Sequence, residues 1–191
     1  MKIIEGFESA KLALSRQAPI GETPDADELE QTVREWIDDV RRRGDAALID
    51  YTLKFDGVKL VSLEVTSEQV KDAYKEVDDE LLTALKLAAE RITAYHTAQK
   101  DNLLKESTKD GLGWLVRPVN RVGIYAPSGT APYPSSLLMT AIPARVAGVK
   151  EIILASPPKA DLTVSPLILV AADIAQVDRI FSIGGAQAIA A

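Results

Sequence analysis

No cysteine occurs among the 191 residues, which excludes a disulfide framework, a thiolate nucleophile and any cysteine-ligated metal. Histidine is nearly as scarce. His96 is the only one, so this chain by itself holds no histidine-rich metal site, and no Ser-His-Asp set assembles around it. There is no run of 18 apolar residues, so no transmembrane helix is expected. The first eleven residues carry Glu5 and Glu8 and lack the apolar stretch of a signal peptide, which makes the cytoplasm the expected location. Basic charge is also in deficit: 22 Lys and Arg stand against 28 Asp and Glu, for a net charge of −6 and a pI near 4.9. The one dense basic run, Arg41-Arg42-Arg43, follows Asp38-Asp39 at an expected helix end, where cations suit the macrodipole. A nucleic-acid partner is therefore not expected, because phosphate binding needs a clustered basic surface.

What the chain does have is a globular composition, with 47% hydrophobic and 26% charged residues. The charge is unevenly spread. Residues 1–120 hold 24 of the 28 acids and 17 of the 22 bases, so the remaining 71 residues carry only nine charges. Sparse charge and nearly continuous apolar runs are what a parallel sheet covered on both faces demands. The boundary falls near Pro118-Val119-Asn120, giving a mainly helical part over 1–120 and a second part over 121–191.

Local patterns fill in the first part. Thr23-Pro24 is a helix start, with Pro at the first helical position and Asp25, Asp27 and Glu28 at the positive end of the dipole. Leu29, Val33, Trp36, Ile37 and Val40 recur at helical spacing up to Gly44. A second helix is predicted from Asp45 to Phe55, and a strand over Leu60–Val65 that ends at the cap Thr66-Ser67. A long helix follows over Asp79–Lys100, with Leu81, Leu85, Ala88, Ile92, His96 and Gln99 on one stripe, which makes His96 a buried, satisfied side chain. Its start, Asp78-Asp79-Glu80, reads as a solvated first turn. Strands over Leu103–Glu106 and Trp114–Arg117 flank Asp110-Gly111 as a hairpin.

The second part alternates. Arg121–Tyr125, Glu151–Ser156 and Arg179–Ile183 are apolar strands. Between them lie a helix capped by Ser135 or Ser136 and closed by Gly148, kinked at Pro143, and a helix from Ser165-Pro166 to about Gln176. Another helix begins at Ala186. Crossovers this short require a parallel βαβαβ unit with right-handed connections. The fold class expected is thus α/β: a mainly helical N-terminal region plus a Rossmann-like parallel unit.

Open parallel sheets bind ligands at the carboxyl ends of their strands. Two loops sit at such ends, Tyr125 to Pro132 and Ser182 to Gln187. Neither matches G-x-G-x-x-G or the Walker pattern, so the usual dinucleotide and triphosphate fingerprints are absent. Within them Tyr125 can stack on or hydrogen-bond a ring or ribose, or simply cover a strand end. Gln187, just after Gly184-Gly185, has an amide able to meet a carboxamide or ribose, or to sit on a helix surface.

The run RVGIYAPSGTAPYPSSLLMTAIPARVAGVKEIILASPP, followed by GGAQAIAA, resembles histidinol dehydrogenase, and WIDDVRRRGDAALIDYTLKFDG and ITAYHTAQ are similar to that family's N-terminal region. Three positions depart from it: Ser128 where a glycine is usual, Gln176 where a glycine often precedes Val-Asp, and a longer connection around Lys159–Ser165. The resemblance implies NAD-dependent, four-electron oxidation of L-histidinol to L-histidine through histidinal, the last step of histidine biosynthesis. It also implies a homodimer, substrate-holding zinc and a Glu–His acid–base pair, with Tyr125 and Gln187 as the cofactor (NAD) contacts. The zinc ligands and the Glu–His pair are expected beyond residue 191, so the chain reads as an N-terminal portion that is inactive alone. The stretch AIPARVAGVKEIILASPP is also similar to aldehyde dehydrogenases, whose architecture the unit would share, although those enzymes use a cysteine nucleophile. A different class of reading is a non-catalytic, truncated paralogue that binds a nucleotide or associates with a partner subunit.

Overall fold

The computed structural model describes residues 4–14, 24–103, 107–128 and 131–191. Helix α1 (Phe7–Leu14) precedes α2 (Pro24–Arg43), and Thr23, expected to cap α2, lies outside the described residues. Of the expected apolar stripe on α2, Val40 is buried but Leu29 faces solvent. Gly44 joins α2 to α3 (Asp45–Asp56), and Gly57 closes α3 in the left-handed region at φ 70°. Trp36 of α2 packs on Tyr51 and Phe55 of α3, with ring centroids 6.1 and 5.1 Å away. Arg43 donates to Asp39 and Asp50, and Arg42 to Asp39, so the basic run is spent within its own helices.

Thr66 caps α4 (Ser67–Ala73) with a complete capping box: its hydroxyl accepts from the Gln69 amide, and the Gln69 side chain accepts from the Thr66 amide. The segment expected as a strand before it forms only an isolated antiparallel bridge, Glu64 opposite Phe181, with Val65 donating to Ile180 and Ser182 donating to Leu63. One bridge is all that is available because the segment lies along a strand edge for only a few residues.

Helix α5 (Asp79–Leu103) starts as expected, with Asp78 accepting from the Leu81 amide, but runs past Lys100 through Leu103, which had been expected to open a strand. Its buried positions are Leu85 and Ala89, with Leu82, Ala88 and Ile92 packed beside them. His96 is half-buried rather than in the core, and its Nδ1 lies 2.9 Å from Gln99 Oε1 on the same helix. A hairpin is present: β1 (Ser107–Lys109) pairs antiparallel with β2 (Leu112–Trp114), whereas 115–117 continue no strand and 104–106 of the expected first strand lie outside the described residues. Asp110 and Gly111, at φ 55° and 80°, form the two-residue turn directly.

The second part contains β3 (Arg121–Tyr125), α6 (Pro134–Ala147), β4 (Glu151–Ser156), α7 (Pro166–Ile174), β5 (Arg179–Ser182) and α8 (Gly185–Ala190). The strands are parallel in the order β3-β4-β5, with Gly123 opposite Ile153 and Leu154 opposite Ile180. Helix α6 is opened by Pro134 after Tyr133, not by a serine side chain, and continues through Pro143. Proline fits a first turn because its missing N–H would be unpaired there.

Alternation along the strands divides the sheet into two faces. Val122, Ile124, Ile152, Leu154 and Ile180 point into a core shared with α5, α6 and α7. Ala155 and Phe181 point the other way, toward a smaller core of Val40, Ala47, Leu48, Val58, Leu60, Leu63 and Ile183. The first core contains Leu85 and Ala89 beside residues 126–180, so α5 of the N-terminal region packs directly on the sheet unit. No helix among the described residues is long and apolar enough to cross a membrane.

Candidate functional site

The carboxyl ends of β3, β4 and β5 lie side by side, and the loops leaving them form a crown held by short contacts. After β3, the Ala126 amide donates to the Ala155 carbonyl at 3.0 Å. The Ser156 hydroxyl returns a bond to the Ala126 carbonyl at 2.8 Å, fully buried. Ser128, 4% exposed, donates its hydroxyl to the Pro157 carbonyl at 2.8 Å. Its side chain therefore faces the neighbouring loop and leaves the solvent side free of that hydroxyl. After β5, Gly184 lies so close to Pro157 that a Cβ there would come within 2.7 Å of the proline Cβ.

Tyr125 ends β3 at 40% exposure, and its phenol oxygen lies 3.4 Å from the Gly185 amide, a long bond that donates into the phenol. Gly185 itself adopts φ 65°, and a Cβ on it would meet Gln187 Oε1 at 2.6 Å. Gln187 is 1% exposed, and neither its amide nitrogen nor its amide oxygen has a hydrogen-bond partner. The Ser182 hydroxyl at the end of β5 is also buried and unpartnered. Buried amides are normally paired, so an orphan of this kind at a loop crown marks a place where a polar ligand group or water completes the structure. The structure thus brings Tyr125 and Gln187 to the same glycine, sixty-two residues apart in sequence. Tyr125 also lines a cavity on the sheet, and Gln187 is not among the residues of its wall.

That cavity, of about 480 Å³, lies on the second face of the sheet between the strands, α3 and α8. Leu48, Gly123, Tyr125, Ile153, Phe181 and Ala188 contribute to its wall. Both arginines on its rim are paired, Arg121 donating to Glu151 at 2.6 Å and Arg179 gripping Glu64 through two 2.8 Å bonds, and Asp45 borders it as well. The Arg179 guanidinium holds the Glu64 carboxyl below the usual carboxylate range and also stacks on Phe181, 4.8 Å from the ring centre. The sheet gives no reversal of strand order, since β3, β4 and β5 follow one another in sequence. The crevice of an open α/β sheet forms where that order reverses, and no such point lies among the described strands.

Sequence reasoning did not single out Ser156, Pro157 and Ser182. The signal was present, because Ser156-Pro157-Pro158 leaves the carboxyl end of the middle strand, where the same strand-end rule applies. Residues Gly129 and Thr130 of the first loop lie outside the described residues.

Comparison with known proteins decides the family. The histidinol dehydrogenase family model matches residues 21–191. The chain belongs to the histidinol dehydrogenase family. It is 52% identical over 166 residues to a histidinol dehydrogenase of Clostridium acetobutylicum, covering 86% of this chain and 38% of that protein. It is 48% identical to one of Dehalococcoides mccartyi, covering 100% of this chain and 46% of the relative. A crystal structure of histidinol dehydrogenase from Elizabethkingia anophelis superposes with a TM-score of 0.84 at 35% identity, over 99% of this chain and 43% of that one. The chain therefore spans less than half the length of these relatives. Membership brings the expected α/β fold and an oxidoreductase family.

Metal chemistry is a separate matter. Among the described residues no group of three or more His, Asp or Glu side chains could hold a metal ion, and the whole sequence offers one histidine and no cysteine. The described residues do not fit a zinc site, so no step through zinc is derived for them.

Proposed function

We propose that this chain is the cofactor-facing N-terminal portion of an NAD-dependent enzyme that oxidises L-histidinol to L-histidine through histidinal. The observation carrying the proposal is the buried, unpartnered Gln187 amide at a strand-end loop of a histidinol dehydrogenase chain, with Tyr125 reaching the same loop. An amide presents one donor face and one acceptor, the complement of a carboxamide or a ribose hydroxyl pair. Tyr125 adds an aromatic face and a hydroxyl. The dinucleotide, when bound, supplies hydride acceptance, and this chain's residues orient it. Zinc, the substrate-side acid–base pair and the homodimeric assembly belong to the same proposal through the family resemblance. The division at residues 118–120 belongs to it as well, as an N-terminal helical part and an incomplete Rossmann-like unit. With 38 to 46% of the relatives' length present, the chain alone is expected to bind NAD weakly and to turn over no histidinol.

Titration of the chain with NAD+ by calorimetry tests this reading. Gln187→Ala and Tyr125→Ala are each expected to weaken binding by about tenfold, the loss of one good contact. Unchanged affinity in both variants would remove the two residues from the cofactor site. Histidinol oxidation by the purified 191-residue chain would overturn the inactive-portion reading.

A further inference from the structure

The crown contacts close on themselves. Tyr125 and Ser128 are on one loop, the Ser128 hydroxyl holds the Pro157 carbonyl, Pro157 abuts Gly184, and the Gly185 amide returns to the Tyr125 phenol. Each link is short-range, yet together they join three loops that are about thirty residues apart in sequence. The Ser128–Pro157 bond is the one polar, buried link in the circuit whose donor is a side chain that can be removed without altering the backbone. The Gly184 link is steric: with φ −128° and ψ −172° the backbone suits any residue, so only Pro157 objects to a side chain there.

We infer that Ser128 is a positioning residue: its bond to Pro157 latches the three strand-end loops into one ring and thereby fixes the Tyr125 and Gln187 loops relative to each other. The inference rests on the dinucleotide reading above for its consequence in binding, but not for the ring itself. If the ring is one mechanical unit, loosening it at Ser128 loosens it at Gly185, fifty-seven residues away, and loosening it at Gly184 loosens Ser128. Coupling of this kind is reciprocal by thermodynamic necessity.

Amide hydrogen exchange on the 191-residue chain, with and without NAD+, provides the test. In Ser128→Ala, exchange at Gly184, Gly185 and Gln187 is expected to rise about fivefold, the opening expected from losing one ordinary hydrogen bond. Exchange at Ile152 and Leu154 in the middle strand should stay as in the parent chain. Gly184→Ala should produce the mirror effect at Ala126 and Ser128. Ser128→Thr, which keeps the hydroxyl, should restore protection at Gly185. Acceleration confined to residues near position 128 would show that the loops move independently and overturn the inference, as would acceleration spread evenly over the core strands. The binding arm is separate: about fivefold weaker NAD+ binding in Ser128→Ala is expected. Failure of the parent chain to bind NAD+ would sink the cofactor reading, while the exchange pattern still decides the ring.

Discussion

Tyr74 and Asp173 show how one hydrogen bond ties distant parts of the chain. The Tyr74 hydroxyl, at the end of α4, donates to Asp173 Oδ2 in α7 at 2.6 Å. Burial, then the hydrogen bond to Asp173 and that residue's negative charge, push the phenol up to about 12 from an ordinary value near 10. An unfolded chain releases this proton near pH 10, while the folded chain keeps it until about pH 12. Stability therefore falls as pH rises through that window and is intact below it. Tyr74→Phe is expected to lose about 1 kcal/mol at neutral pH and to flatten the decline in urea midpoint between pH 10 and 12. An equally steep decline in the variant would assign the slope to other tyrosines. Position 74 carried no sequence signal, because its partner lies ninety-nine residues away. Gln187 was legible as a residue type after two glycines, but its burial without a partner was not, since that depends on how Gly185 folds over it. His96 was misread because a stripe at helical spacing does not say where the covering layer stops.

At the level of elements, helix ends were the most legible features, and α6 and α7 show why. Both end in the same six-residue turn: Gly148 donates to Arg145 and Val149 to Ala144, while Gln176 donates to Asp173 and Val177 to Ala172. Each turn passes through one left-handed residue, Gly148 directly after α6 at φ 97° and Gln176 one residue later, after Ala175, at φ 58°. The resemblance had marked Gln176 as a departure from a common glycine, and its backbone supplies the reason. Arg145 bridges the two turns, donating to the carbonyls of Val149, Lys150 and Gln176 and to the Asp178 carboxylate, which also receives the Ile152 amide. These carbonyl contacts survive a change of side chain at 176. Gln176→Gly is thus expected to stabilise the chain by roughly 0.5 kcal/mol, relief of the left-handed strain outweighing the added freedom of the unfolded glycine. A urea midpoint that falls would show the strain to be absent. The weaker readings were of strands: Leu60–Val65 has strand composition, but pairing depends on how much free edge the sheet offers, which no local pattern encodes. The hairpin turn was placed correctly at Asp110-Gly111, while its second strand ends at Trp114 and Leu103 belongs to α5, which outlasts its apolar stripe.

Across the molecule, the charge-poor second part announced the parallel sheet, and the alternation of its strands is legible once the sheet is known. The unequal covering of its two faces is not, because it depends on α3 and α8 reaching only part of one face. Gly123 shows that inequality: its Cβ position meets nothing within 4 Å, and the residue borders the cavity of about 480 Å³. Gly123→Val is expected to be tolerated, and even to raise stability by about 0.5–1 kcal/mol through lost unfolded-state freedom and better strand packing. It should also reduce binding of an apolar fluorescent dye to the cavity. Unaltered dye binding in a folded variant would place the dye elsewhere.

The sheet adds its strands in the sequence in which they are made, β3, then β4, then β5. Strand β4 finds the edge of β3 already waiting, whereas β5 enters between β4 and the earlier-made segment around Glu64, which bridges Phe181. The last strand thus closes a gap between the two parts of the chain, joining amino-terminal pieces that emerge first during translation to the layer made after them.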